Sequence, residues 1–177
     1  MTAPEFSRPI RIDTLGEGGR TVAVEADDSE RAALASRFGL LSLDALAAEA
    51  QLRREGEVVL AEGRVKARAV QPCVASGAPV PADIDEPFSL RFVPEGQGAG
   101  EEIELAIEDV DSIDYAGGAI DLGEAVAETM ALSLDPFPRA PDADAVLKAA
   151  GVMSEEEAAE AASPFAALKG LKGKLGK

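Results

Sequence analysis

Carboxylates are the side chains of this sequence whose spacing comes closest to that of a reactive site. Asp109, Asp111 and Asp114 lie within six residues, and Glu124 follows them. Clustered carboxylates can bind a divalent cation that activates water, so one hypothesis is a metal-dependent ribonuclease. The competing interpretation is a solvated acidic face before a helix, which is the usual state of a charge run. The spacing of a calcium-binding Asp-x-Asp-x-Asp-Gly loop is absent.

Other catalytic mechanisms lack their essential residues. The sequence contains no histidine, which excludes a Ser-His or Cys-His nucleophile pair and an imidazole metal site. No Gly-x-x-x-x-Gly-Lys phosphate-binding loop occurs, and the glycines near residues 16 and 98 lie outside a strand-to-helix context. The sequence therefore predicts a protein that is not an enzyme and uses no cofactor.

Cys73 is the single cysteine of the chain, in the segment Gln71-Pro72-Cys73-Val74. It cannot form an internal disulfide, which suits a reducing compartment such as the cytoplasm. A lone cysteine is most often a small buried apolar residue. The alternative is a structural or metal-binding role, and a metal ion would need ligands from a second molecule.

Charge is distributed unevenly along the chain. There are 33 Asp and Glu against 17 Lys and Arg, a net charge of −16, yet residues 164–177 contain four lysines and no acid. Between Asp83 and Glu128 there are fourteen acids and one arginine. This stretch should repel phosphate polymers and attract basic proteins. The predicted acidic partner surface comprises Glu108, Asp109, Asp111, Asp114, Glu124 and Glu128.

Two groups of cations are candidates for contact with RNA or a partner. Arg64, Lys66 and Arg68 alternate along a predicted strand, without aromatic neighbours for base stacking. Pairing with acids on an adjacent strand is the competing interpretation. The second group lies in the C-terminal tail, where phosphate contact competes with a solubilising or docking role. Its members are Lys169, Lys172 and Lys174.

The hydrophobic patterns predict an α+β fold, with an antiparallel sheet packed against a few helices. Residues 8–13 and 20–25 alternate and flank a glycine turn, so they predict an N-terminal hairpin. The interval 41–54 fits either helix or strand. A long strand from Glu57 should place Val59, Val65 and their alternating neighbours on its buried face. Phe88, Leu90 and Phe92 indicate another strand, and residues 103–107 a short one.

Helix signals occur at three places. Asp27 and Asp28 can cap a helix to Phe38 that ends at Gly39. Asp121 and Glu124 have capping-box spacing, and a stripe from Leu122 to Leu134 recurs every four residues. Ser154 to Glu157 repeats the capping arrangement. We expect a single α+β domain over residues 1–144, an acidic Ala/Glu-rich helical segment over 145–163 and a mobile basic tail over 164–177.

Several segments in order resemble the large ribosomal RNA subunit accumulation family, the YceD-like proteins. The resemblance runs from about Pro9 to Lys172. It rests on Glu62-Gly63-Arg64-Val65-Lys66-Ala67-Arg68-Ala69 leading to Pro72-Cys73, the strand 84–93, the acidic stretch before Ile120-Asp121-Leu122-Gly123-Glu124, residues 132–139, and Ser163-Pro164-Phe165-Ala166-Ala167-Leu168-Lys169.

This resemblance implies a role in the synthesis, processing or stability of 23S ribosomal RNA in bacteria. It also implies a link with a basic ribosomal protein, large-subunit ribosomal protein L32, or with an rRNA-processing factor. Many relatives have a Cys-x-x-Cys or Cys-x-Arg-Cys pair where this chain has Val70-Gln71-Pro72-Cys73. Cys73 matches only the second position of that pair, so a metal or redox role of the pair does not transfer to this chain.

Overall fold

A computed structural model describes residues 4–16, 18–96 and 111–152 of the chain. Seven strands and three helices are found in these ranges, and a short 3-10 turn, Ile12–Thr14, follows the first strand. The elements are β1 Pro9–Arg11, β2 Arg20–Glu25, α1 Asp28–Arg37, β3 Ser42–Glu55, β4 Val58–Pro72, β5 Pro79–Pro94, β6 Asp111–Tyr115, β7 Ala119–Asp121, α2 Leu122–Leu132 and α3 Ala143–Ala149.

The main sheet has five strands in the order β2-β3-β4-β5-β6. The first four pair antiparallel, whereas β6 runs parallel to β5. Hairpin turns join β3 to β4 and β4 to β5, and Gly56 has a φ of 65° in the first of them. Glycine adopts this left-handed conformation without a steric cost, so it suits the tight turn between the two strands. The α+β prediction is confirmed.

Alternating apolar side chains form the inner face of this sheet. Val59, Ala61 and Val65 of β4 are fully buried, and Phe88, Leu90 and Phe92 of β5 lie beside them, as their periodicity predicts. The ambiguous interval 41–54 is a strand, because its small and apolar residues complete this face between β2 and β4. Tertiary pairing has overridden the helical propensity of its alanines.

Helix α2 covers the inner face with the stripe that its four-residue spacing predicts. Leu122, Val126 and Met130 are fully buried, and Leu134 packs against the core just beyond the helix. At α1 the predicted cap is present, and it forms a full capping box. The Asp27 carboxylate accepts from the Glu30 amide at 2.9 Å, and Glu30 accepts from the Asp27 amide at 2.8 Å. Gly39, with a φ of 66°, follows the end of the helix.

The predicted N-terminal hairpin is wrong. β1 pairs with β7 in a separate two-stranded sheet, with Pro9 opposite Asp121, while β2 pairs with β3. The intervening 3-10 turn redirects the chain, and the Ile12 amide donates to the Gly118 carbonyl at 3.1 Å. Alternation identified both strands but not their partners, because pairing depends on long-range contacts.

Two strands were not anticipated, the edge strand β6 and the short strand β7, and helix α3 begins two residues before the helical segment expected over residues 145–163. The strand expected at 103–107, the helix expected from Ser154 and the basic tail lie outside the described residues. The proposed division into domains stays a prediction. Among the described helices, none has the length and apolar character needed to cross a membrane.

Candidate functional site

The basic strand face is where the sequence placed it, on the outer side of β4. Arg64, Lys66 and Arg68 are exposed and alternate with buried residues. Arg64 lies 2.6 Å from the Asp85 carboxylate on β5, and Lys66 lies 3.9 Å from it. The Arg64 hydrogen bond, helped by the charge of Lys66, lowers the pKa of Asp85. Two of the three cations are thus paired with an acid on the neighbouring strand, as the competing interpretation stated.

A shallow trough of about 540 Å³ lies beside these cations on the same outer face. Ala23 and Ala47 line its floor, because small residues occupy the centres of β2 and β3 there. Glu25 and Glu49 lie among its lining residues together with Arg64 and Lys66. Both signs of charge therefore face the trough, which is not the uniformly positive surface that phosphate binding requires.

Arg68 differs from its two neighbours on the strand. It stands opposite Asp83 in the register, but within the described part of the chain it makes no hydrogen bond or ion pair. It is therefore the cation of this face that an external phosphate or carboxylate could reach without displacing an internal partner.

The carboxylates of the nuclease hypothesis do not converge. Asp111 and Asp114 are both exposed on β6, where Asp111 is aligned with the inward residue Leu90 and Asp114 with Val93. Residues three apart on a strand point to opposite faces, so these two cannot bind one ion together. No cluster of three potential ligands occurs among the described residues. Asp109 and Glu108 lie outside them.

Glu124 and Glu128 lie on a different element and have an internal partner. The Arg37 guanidinium at the end of α1 lies 2.7 Å from Glu124 and 4.0 Å from Glu128, and it also contacts Glu5 at 3.0 Å. The hydrogen bond that Arg37 donates to the Glu124 carboxylate is the main reason that the pKa of Arg37 is raised. These acids hold α1, α2 and the N-terminal segment together, which leaves less of their charge for a partner.

Asp121 is a structural residue that the capping signal revealed only in part. Its carboxylate accepts from the Gly123 and Glu124 amides of α2, at 3.0 and 3.2 Å. It also accepts from the Ser7 hydroxyl at 2.5 Å and the Arg8 amide at 2.8 Å. A Cβ at Gly123 would lie 2.5 Å from the Phe6 carbonyl oxygen, so glycine permits this close crossing. In a full capping box the Glu124 side chain would accept from the Asp121 amide, but here Glu124 contacts Arg37 instead.

Gly63 belongs to another segment of the resemblance, and its role there is structural. It stands opposite Phe88, and a Cβ there would collide with the Glu49 carbonyl oxygen and with the Phe88 ring. The ring fills the space that a side chain on β4 would occupy. The Glu62-Gly63-Arg64 sequence therefore serves the packing of the sheet at this position.

Cys73 opens the turn between β4 and β5 and is 3% exposed. Its Sγ accepts from the Ala140 amide at 3.3 Å, and it packs with Ala140 and Ala143 in a small second cluster. The Ala140 hydrogen bond, followed by that of Ser76, lowers the pKa of the thiol to about 7. This burial agrees with the small-apolar-residue interpretation, and the thiol attaches the turn to the segment before α3.

The remaining candidate lysines, Lys169, Lys172 and Lys174, lie outside the described residues. The described candidates occupy separate places: cations on the outer face of β4, two carboxylates on β6, and two on α2 beside Arg37. They form no common cleft in the described chain.

The chain matches the family model described as Large ribosomal RNA subunit accumulation protein YceD over residues 61–172. No curated protein and no solved structure matches it. The matched region covers more than half of the chain and includes β4, β5, α2 and α3, with the Gly63, Asp121 and Gly123 positions whose packing is described above. The chain therefore belongs to the family of large ribosomal RNA subunit accumulation proteins, YceD.

Proposed function

We propose that this protein is a non-enzymatic accessory factor in the synthesis, processing or stability of 23S ribosomal RNA, and that it acts in the cytoplasm through a basic protein partner. Membership of the family carries the first part of the proposal, because the family is named for accumulation of the large ribosomal RNA. The partner is a basic ribosomal protein, with L32 as the first candidate, or an rRNA-processing factor.

The charge distribution favours a protein partner over direct binding of RNA by the body. The chain has a net charge of −16, and the cations Arg64 and Lys66 already contact Asp85. An RNA phosphate would have to compete with that carboxylate within a negative field. Screening acts only beyond about 8 Å at physiological salt, so it would not remove repulsion at the contact. The same negative field attracts a basic protein.

The ribonuclease alternative has no support in the described geometry. Asp111 and Asp114 face opposite sides of β6, so they cannot bind one ion between them. Mg²⁺-dependent cleavage of RNA that is abolished by Asp111→Asn would restore this alternative.

The test is a deletion strain complemented with the tagged full-length protein. We expect deletion to lower mature 23S relative to 16S rRNA, and the complementing protein to restore the ratio. Capture should recover a basic ribosomal protein or processing factor, and nuclease treatment before capture should leave that recovery unchanged. Unchanged 23S rRNA after deletion would contradict the function, and tight binding of 23S fragments by the purified protein at physiological salt would contradict the preference for a protein partner.

A further inference from the structure

A groove of about 630 Å³ lies between α1 and the first residues of β3. Ala32 and Ala35 line it from the helix, and Leu40 and Leu43 line it from the strand side. Leu41, also in the lining, is 54% exposed and adds an accessible apolar side chain to the groove. The groove thus offers apolar surface to a ligand.

The backbone along this groove lacks a neighbouring strand. β2 pairs with β3 only from Ala47 to Leu52, and Ala26 adds one bond to the Leu46 carbonyl. The side of β3 between Ser42 and Ala45 that faces away from β4 therefore carries no strand among the described residues. Unpaired edges of this kind accept extended segments by strand addition.

A β-bulge places a carboxylate at the same edge. The register of β3 against β4 shifts between Leu43 and Ala45, so Asp44 is an extra residue. Bulges redirect the side chains they contain. Asp44 is exposed, lines the groove, and makes no hydrogen bond or ion pair with the described residues. Asp28 lines the groove as well, but Arg31, which also lines it, forms an ion pair with Asp28 and offsets its charge.

We propose that the groove between α1 and β3 binds an extended segment of a basic protein, which pairs with the Ser42–Ala45 edge and places an apolar side chain by Leu41 and a cation by Asp44. The inference rests on the proposed function, since it assigns a surface to the basic partner. Charge complementarity selects this occupant: the unpaired Asp44 carboxylate and the net charge of −16 favour lysine or arginine, and they disfavour RNA and acidic segments.

The experiment measures fluorescence anisotropy of a labelled peptide of alternating lysine and valine, about six residues long, the usual length of a strand, with the full-length protein. We expect saturable binding that weakens with salt. Asp44→Lys should weaken it about tenfold, since it converts an attraction into a repulsion. Leu41→Ser should weaken it as well. A peptide with proline in place of valine loses every second backbone donor, so its binding should be much weaker.

Glu62→Lys is the matched control for the change in charge. Glu62 is exposed and stands opposite Gln51, which lies seven residues along β3 from Asp44. That separation is about 20 Å at the rise of a strand, well beyond the screening length. We expect Glu62→Lys to change the affinity by less than about twofold. Equal losses of peptide affinity in Asp44→Lys and Glu62→Lys would overturn the proposal. The peptide would then be attracted by the overall negative charge of the protein and not by the groove.

Other occupants give distinct results that also overturn the proposal. Leu168→Ser would raise the affinity for the peptide if the C-terminal segment of the chain filled the groove. Light scattering would find a dimer that Asp44→Lys dissociates if a second copy filled it. Absence of binding by the lysine-valine peptide would remove the basis of the inference.

Capture from cells separates this inference from the proposed function. If the wild-type protein and Glu62→Lys recover a basic ribosomal protein while Asp44→Lys does not, both stand. Equal recovery by Asp44→Lys would refute the groove and leave the function intact. Recovery of neither a ribosomal protein nor an rRNA-processing factor by any variant would contradict the proposed function itself.

Discussion

Replacing Asp121 by alanine should destabilise the protein far more than the loss of an ordinary helix cap. Its carboxylate has four donors, two amides at the start of α2 and two groups of the N-terminal segment, namely the Ser7 hydroxyl and the Arg8 amide. Loss of an N-cap costs about 1 kcal/mol. The two remaining hydrogen bonds to a charged acceptor contribute about 1.5 kcal/mol each. The expected total is about 4 kcal/mol.

Asp27→Ala is the matched control, since Asp27 caps α1 with an exposed carboxylate. It accepts from the Glu30 amide and the Ser29 hydroxyl, close in sequence, and it holds no distant segment. We expect this variant to cost about 1 kcal/mol. The difference between the two variants measures the connection between the N-terminal segment and α2, because both remove a cap.

The assay is guanidinium unfolding followed by far-UV circular dichroism, with free energies compared at a common slope. Ser7→Ala provides a double-mutant cycle: it should be destabilising in the wild type and nearly neutral in Asp121→Ala. Equal costs for Asp121→Ala and Asp27→Ala would refute the reasoning. So would additive effects of Ser7→Ala and Asp121→Ala.

Three further results are expected. Gly63→Ala should cost about 1 to 3 kcal/mol of unfolding free energy, because its Cβ meets the Glu49 carbonyl oxygen, whereas Gly16→Ala, with no atom within 4 Å, should be nearly neutral in the same denaturation assay. The pKa of Cys73 is about 7 in the folded state, below the unfolded value near 8.5, so the unfolded state binds more protons between them. The free energy of unfolding should therefore rise from pH 7 to 9, by at most about 1.4 kcal/mol per pH unit. If the difference in this free energy between the wild type and Cys73→Ala did not change over that range, the lowered pKa of Cys73 would be contradicted. Asp85→Ala should strengthen filter binding of a 23S rRNA fragment at low salt, since it releases Arg64 and Lys66; unchanged binding would mean that this strand face does not contact RNA.

Local signals in the sequence predicted most of the strands and helices, but they did not predict which strands pair with one another. The helix cap at Asp27 and the four-residue stripe of α2 are properties of a few neighbouring residues, and both are present as predicted. The partner of β1 was missed because alternation is the same whichever strand lies opposite. The parallel strand β6 was missed because its sequence, Asp-Ser-Ile-Asp-Tyr, has acids where a strand usually has apolar residues.

The candidate site residues were likewise predictable only where a local pattern of the sequence contains them. Alternation placed Arg64, Lys66 and Arg68 on one face of β4, and the pairing with Asp85 followed the cross-strand rule. The spacing of Asp111 and Asp114 suggested proximity, but strand geometry separates them. The contacts of Arg37 with Glu5 and Glu124 join residues from distant parts of the sequence, which no local pattern contains.

The segments that identify the family are largely explained by folding. Gly63 accommodates Phe88, while Asp121 and Gly123 hold the N-terminal segment against α2. A protein can require these residues without using any of them for contact with RNA or a partner. Residues for recognition must instead be exposed and lack an internal partner, a condition that Arg68 and Asp44 meet among the described residues. Variants at these two positions, which leave the core intact, are therefore the ones that can separate loss of function from loss of structure.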